Sequence, residues 1–141
     1  MAVLDANVLA SGLLGHNPAS PPVQALDAWR SHLYTLAVSE QIILEVARTL
    51  ERPYFARRIG PAERFKAISL LRTEAITTAN IEVLRVATHP EDDLILATAV
   101  SARADYLVTG DSQLQKLGHC QGVTILSPRD FANLLARPHT T

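Results

Sequence analysis

One cysteine, Cys120, stands among 141 residues, so no disulfide can close within the chain. Small secreted folds usually depend on several, and a reducing cytoplasm is therefore the expected setting. Aromatic residues make up only 5% of the sequence, with a single tryptophan, so the core must come mainly from aliphatic side chains. No apolar run reaches the length of a membrane span, and no basic leader precedes a signal-like stretch; neither a membrane partner nor export is expected. The five histidines are scattered and Cys120 is alone, which leaves no zinc-ligand spacing. The six glycines form no phosphate-cradling loop, and no Ser/His/Asp arrangement can be assembled.

What remains is a chain with 48% hydrophobic and 19% charged residues, enough to bury a single core. No repeat, low-complexity stretch or linker divides it, so one domain is expected over residues 1–136, followed by a short tail, 137–141. The charge is nearly balanced overall but unevenly placed. Between Arg52 and Arg72 lie Arg52, Arg57, Arg58, Arg64, Lys66 and Arg72 against one acid, Glu63. That segment carries +5 in a chain of net charge −1, which leaves −6 elsewhere. Such asymmetry points to a side that faces a polyanion, although a solvated helical face would produce it too.

Short β-branched or leucine-rich runs read as strands at 2–5, 34–38, 81–86, 106–109 and 123–126. Helical patterns separate them. Ser39 is placed to cap a helix whose apolar face is Ile42, Ile43, Val46, Ala47 and Leu50, with Pro53 at its end. Residues 62–75 and 92–103 continue the alternation, and Ser127-Pro128-Arg129-Asp130 opens a last helix with an N-cap, a first-position proline and a first-turn acid. Strands alternating with helices imply parallel pairing and an α/β three-layer sandwich. In such folds ligands gather beyond the carboxyl ends of the strands.

Three acidic positions fall at that kind of place. Asp5 interrupts the apolar opening MAVLDANVLASGLL at the end of the first strand. Asp92 and Asp93 begin the helix in HPEDDLILATAV, and Asp111 follows the strand in DYLVTGD. Helix capping is the ordinary reading for Asp92, Asp93, Asp111 and Asp130. Asp5 resists it more, because an isolated buried carboxylate tends to protonate rather than bear its desolvation. Were Asp5, Asp92 and Asp111 to converge, a divalent cation would relieve both burial and repulsion, and oxygen donors suit Mg²⁺ or Mn²⁺. Held there, such an ion fits hydrolysis of a phosphodiester. Tyr54, Phe55 and Phe65 interleave the basic segment, as a single-stranded nucleic acid would require. Phe65 also fits a buried stripe with Ile68 and Leu71.

VLDANVLASGLL, ILEVARTL and EDDLILATAVSARADYLVTGDSQL resemble, in order, the opening, the second-helix glutamate segment and the C-terminal acidic half of PIN domains. The likeness runs from Met1 to about Phe131 and is greatest to the VapC-like toxins. It implies a five-stranded parallel sheet in the order 3-2-1-4-5, a metal-dependent endoribonuclease using one or two Mg²⁺ or Mn²⁺ ions, a cognate antitoxin and a homodimer. It also implies that Asp5, Glu45, Asp92 and Asp111 are the catalytic and metal-holding acids, with Asn7, Asp93 and Thr109 in support. Arg52, Arg57, Arg58, Arg64 and Lys66 would meet the RNA. Only the resemblance selects Glu45 over Glu40, since Arg48 at i+3 could simply pair with it. Relatives often carry an acid where this chain has His89.

Other functions compete. Aspartyl-phosphate phosphatases also begin with an Asp after the first strand, but they need a second Asp where Asn7 stands. A phospho-receiver would want an acidic pair near the first strand and a phosphorylated Asp after the third, which VLRVATHPEDD does not supply cleanly. A PIN-like module that binds RNA or protein without cutting is the non-enzymatic alternative.

Overall fold

The computed structural model describes residues 1–79 and 90–137, with the side chains of 90–92 excepted. Strand β1 (Ala2–Leu4) is wholly buried. It pairs in parallel with β4 (Tyr106–Val108), placing Leu4 beside Val108, and β4 pairs in parallel with β6 (Val123–Leu126). A two-residue strand, β5 (His119–Cys120), runs antiparallel at the edge. Strands β2 (Ala37–Val38) and β3 (Ile76–Thr77) form a separate parallel pair. One bridge, Ala2 to Leu36, and a bond from the Ala2 N–H to the Thr35 carbonyl (2.9 Å) join this pair to β1.

Among the described residues the expected five-stranded parallel sheet in the order 3-2-1-4-5 therefore does not form as one sheet. A mixed four-stranded sheet, β1-β4-β6-β5, stands beside a two-stranded one. The cause is local: β2 and β3 are two residues long, and the turn at 121–122, with Gln121 and Gly122 both at positive φ, folds β5 back as a hairpin. The strand expected at 81–86 lies outside the described residues.

Caps set the helices. Asp5, Ser20, Ser39, Asp111 and Ser127 each accept a backbone N–H in the first turn of α1 (Ala6–Leu14), α2 (Pro21–Arg30), α3 (Glu40–Leu50), α7 (Ser112–Leu117) and α8 (Pro128–Ala136). Pro53 does not end α3, which stops at Leu50; it opens the single turn α4 (Pro53–Ala56), as its fixed φ favours at a first helical position. Helices α5 (Pro61–Glu74) and α6 (Pro90–Ser101) complete the described set.

Helix α6 lies against β1 and β4, α8 against β6 and α2, and α1 against α2 and α3. At the α1–α2 crossing Gly12 is required, because a Cβ there would sit 2.6 Å from the Pro22 carbonyl oxygen. The apolar core runs through β1, β4 and the inward faces of α1, α3 and α6, so the carboxyl ends of β1 and β4 are anchored rigidly. Phe65 is not part of it. The buried face of α5 is Ala67 and Leu71, and Phe65 is 74% exposed.

Candidate active site at the strand ends

Because Leu4 and Val108 are paired, the next residues of the two strands, Asp5 and Thr109, emerge side by side. The Asp5 N–H continues the ladder to the Val108 carbonyl (3.0 Å). Its side chain then caps α1, with Oδ1 accepting from the Val8 N–H at 2.9 Å. The buried Thr109 hydroxyl donates to Oδ2 and accepts the Asp111 N–H at 3.0 Å. Thr109 thus ties the two acids together through one hydroxyl.

Burial pushes the Asp5 carboxyl above its ordinary range. The Thr109 hydroxyl and the Val8 and Gly110 N–H groups pull it back, and the nearby charge of Asp111 raises it further. Asp111 itself caps α7, its Oδ1 accepting from Gln113 N–H (2.8 Å) and Leu114 N–H (3.1 Å). The ordinary capping reading of Asp111 therefore holds, and its proximity to Asp5 holds with it. Gln115 donates to the Thr109 carbonyl (2.7 Å) and steadies the loop between the two acids.

Asp5 opens into a cleft of about 330 Å³ that is also lined by Asn7, Gln41, Leu44, Glu45, Arg48 and Leu94. Glu45 comes from the middle of α3, whose inward stripe of Ile42, Ile43, Val46 and Leu50 fixes which way it faces. Its carboxylate meets two arginines: Arg48 Nη1 lies 3.4 Å from Oε2 and Arg52 Nη2 lies 3.9 Å from Oε1. The Arg48 pairing at i+3 is thus real, and so is the placement of Glu45 on the same cleft as Asp5. Glu40, the other candidate, does not line that cleft; it takes both guanidinium nitrogens of Arg72, at 2.6 and 2.7 Å.

Asp92 and Asp93 stand in the first turn of α6, inside the helix rather than at its cap. The Asp92 side chain and His89 lie outside the described residues; Asp93 is half-buried. Among the described residues no three His, Cys, Asp or Glu side chains form a metal-holding group. Mg²⁺ nonetheless accepts one or two carboxylates and keeps waters in its other positions, so the oxygen donors of Asp5 and Asp111 suit it chemically.

A family profile described as PIN domain matches residues 1–113. The chain belongs to the PIN-domain family. The match spans β1 through the start of α7 and so includes Asp5, Glu40, Glu45, Asp92, Asp93 and Asp111. No curated protein matches this PIN domain in sequence. Among solved structures it is similar to VapC20 of Mycobacterium tuberculosis, a sarcin–ricin-loop-cleaving toxin, with a TM-score of 0.56 over 86% of this chain and 98% of that one. The two share 16% identity, so the likeness is one of fold.

The expected nucleic-acid side is partly committed elsewhere in this PIN domain. Arg58 stacks over the Tyr54 ring at 3.9 Å and donates to its carbonyl at 2.6 Å, while Arg64 donates to the Ile59 carbonyl at 3.0 Å. Arg57 and Lys66 are exposed, as are Tyr54 and Phe65. Sequence reasoning passed over Arg48 as a cleft residue and Gln115 as a brace. The first carried a signal, its i+3 spacing from Glu45; the second, a single glutamine, carried none. Among the described residues no helix is long and apolar enough to cross a membrane.

Proposed function

We propose that this PIN domain, taken as one unit over residues 1–136, is a metal-dependent endoribonuclease and the toxin of a toxin–antitoxin pair. The observation that carries the reading is Asp5, a half-buried carboxylate whose charge the fold disfavours, opening into a cleft with Asn7 and Glu45 and with Asp111 close by. Family membership and the fold shared with a toxin described as cleaving the sarcin–ricin loop support the same reading.

In this scheme Asp5, Asp92 and Asp111 hold one or two Mg²⁺ or Mn²⁺ ions, and Glu45 either joins them or orients the attacking water. Bound there, the metal would supply neutralisation of the phosphodiester charge and would make a coordinated water more acidic than bulk water. Thr109 fixes the Asp5 carboxylate, Asn7 assists from the cleft lining, and Asp93 assists Asp92. The exposed cations Arg52, Arg57 and Lys66, with Arg58 and Arg64, face the RNA backbone. A cognate antitoxin, a homodimer and a cytoplasmic setting complete the proposal.

The test is cleavage of a single-stranded RNA with Mg²⁺ or Mn²⁺. Chelation by EDTA and the substitution Asp5→Asn should each lower the rate by at least ~10²-fold, the scale of losing one charge-stabilising group. Cleavage that survives either treatment overturns the metal–carboxylate mechanism. Salt-sensitive RNA binding without any cleavage would identify a binding module instead.

A further inference from the structure

Arg48 is the single arginine that lines the Asp5 cleft among the described residues. Its side chain is 72% exposed, and its hold on Glu45 is one 3.4 Å contact at i+3. Arg72 and Arg58 are held more tightly. Arg72 is gripped by both oxygens of Glu40, and Arg58 by an aromatic face and a carbonyl. Arg52, one helical turn beyond Arg48, stands 3.9 Å from the opposite oxygen of Glu45. The Glu45 carboxylate therefore sits between two guanidinium groups as a phosphate would.

We propose that Arg48 is a phosphate-binding residue of this cleft, resting on Glu45 in the free protein and exchanging onto an RNA phosphate when the strand enters. The inference rests on the ribonuclease reading and names how the same site receives its polyanion. Asp5 and Glu45 put two acids on the cleft and Asp111 lies near Asp5, so a phosphodiester approaching Asp5 meets repulsion unless a cation travels with it. Exposed ion pairs add little net stability, so leaving Glu45 is not a strong barrier. A guanidinium presents a planar fork that fits two phosphate oxygens, which an ammonium cannot. The exchange also frees the Glu45 carboxylate at the moment when substrate is present.

The experiment is fluorescence anisotropy of a single-stranded RNA oligonucleotide against the full chain, as a function of KCl, in an Asp5→Asn background with EDTA so that nothing is cut. Arg48→Gln should weaken binding and lower the slope of log affinity against log salt by about 0.7, the loss of one phosphate contact on a single strand. Arg48→Lys should keep the slope and lose part of the affinity. Glu45→Gln should tighten binding, because Arg48 no longer has a competing carboxylate. If Arg48 only orients Glu45, none of these variants changes the slope, and an unchanged slope in folded Arg48→Gln overturns the proposal. So does an absence of RNA binding. The two readings fail separately: a wild-type chain that binds but never cleaves defeats the nuclease, whereas cleavage with an unaltered Arg48→Gln slope defeats only the exchange.

Discussion

Asp5 and Glu45 line one cleft, and their surroundings are opposite. Asp5 stands at the end of a buried parallel strand, fixed by backbone, and its partners are neutral donors: a hydroxyl and amide groups. Glu45 stands on a helix surface, and its partners are two full positive charges on flexible stems. The strand wall therefore holds an acid in place without satisfying its charge. The helix wall satisfies the charge without holding it in place. The lesson is a division of labour: position comes from the sheet and exchangeable charge from α3.

The strand wall breaks first at Thr109. Thr109→Val removes the hydroxyl that serves Asp5 and the Asp111 N–H together, leaving both without that partner in a buried place. A loss of about 1–3 kcal/mol in urea unfolding is expected, the cost of unsatisfied buried polar groups, with Thr109→Ser restoring most of it. An unchanged midpoint would mean that the hydroxyl is dispensable and that Asp5 is positioned by the helix cap alone.

A smaller effect separates charge from position at Asp5. The folded state holds the Asp5 proton more tightly than the unfolded chain does. In metal-free protein this residue's contribution is therefore present at low pH and is lost as pH rises through the folded value. Asp5→Asn keeps a good helix cap but has no proton to lose. Urea unfolding in EDTA from about pH 4 to about pH 8, a range that brackets ordinary and raised carboxyl values, should show wild type losing stability relative to Asp5→Asn as pH increases. A wild type that gains on the variant over that range breaks the comparison, for the fold would then favour the ionised form of Asp5.

The same division explains what the sequence made legible. Asp5 and Asp111 could be read because each ends a clear apolar run, and Ser39 and Ser127 because caps announce themselves locally. Strand β2 lies within the run read at 34–38, but β3 and β5 could not be read, since two residues carry no period and their pairing is decided by distant partners. Phe65 misled for a related reason. Its spacing to Ile68 and Leu71 fits a stripe, but α5 buries the i+4 pair Ala67 and Leu71 instead and turns Phe65 outward. Spacing placed Arg48 near Glu45, yet only the fold puts both on the cleft of Asp5.

The smallest effect lies away from the cleft, at the other glutamate of α3. Glu40 and Arg72 form an exposed two-pronged ion pair between the start of α3 and the end of α5. Hydrogen bonding to Arg72 holds the Glu40 carboxyl below its ordinary value, so its contribution is present above the unfolded-state value and is lost as pH falls through the folded one. This is the reverse of Asp5. Glu40→Gln should leave the unfolding midpoint near neutrality little changed in high salt, because exposed pairs are screened. It should also flatten the part of the acid limb that lies below about pH 4.3, the ordinary glutamate value. RNA cleavage should be unaffected, since Glu40 does not line the cleft. A Glu40→Gln chain that folds normally but no longer cleaves would move the functional glutamate of α3 from Glu45 to Glu40, and with it the helix wall of the site.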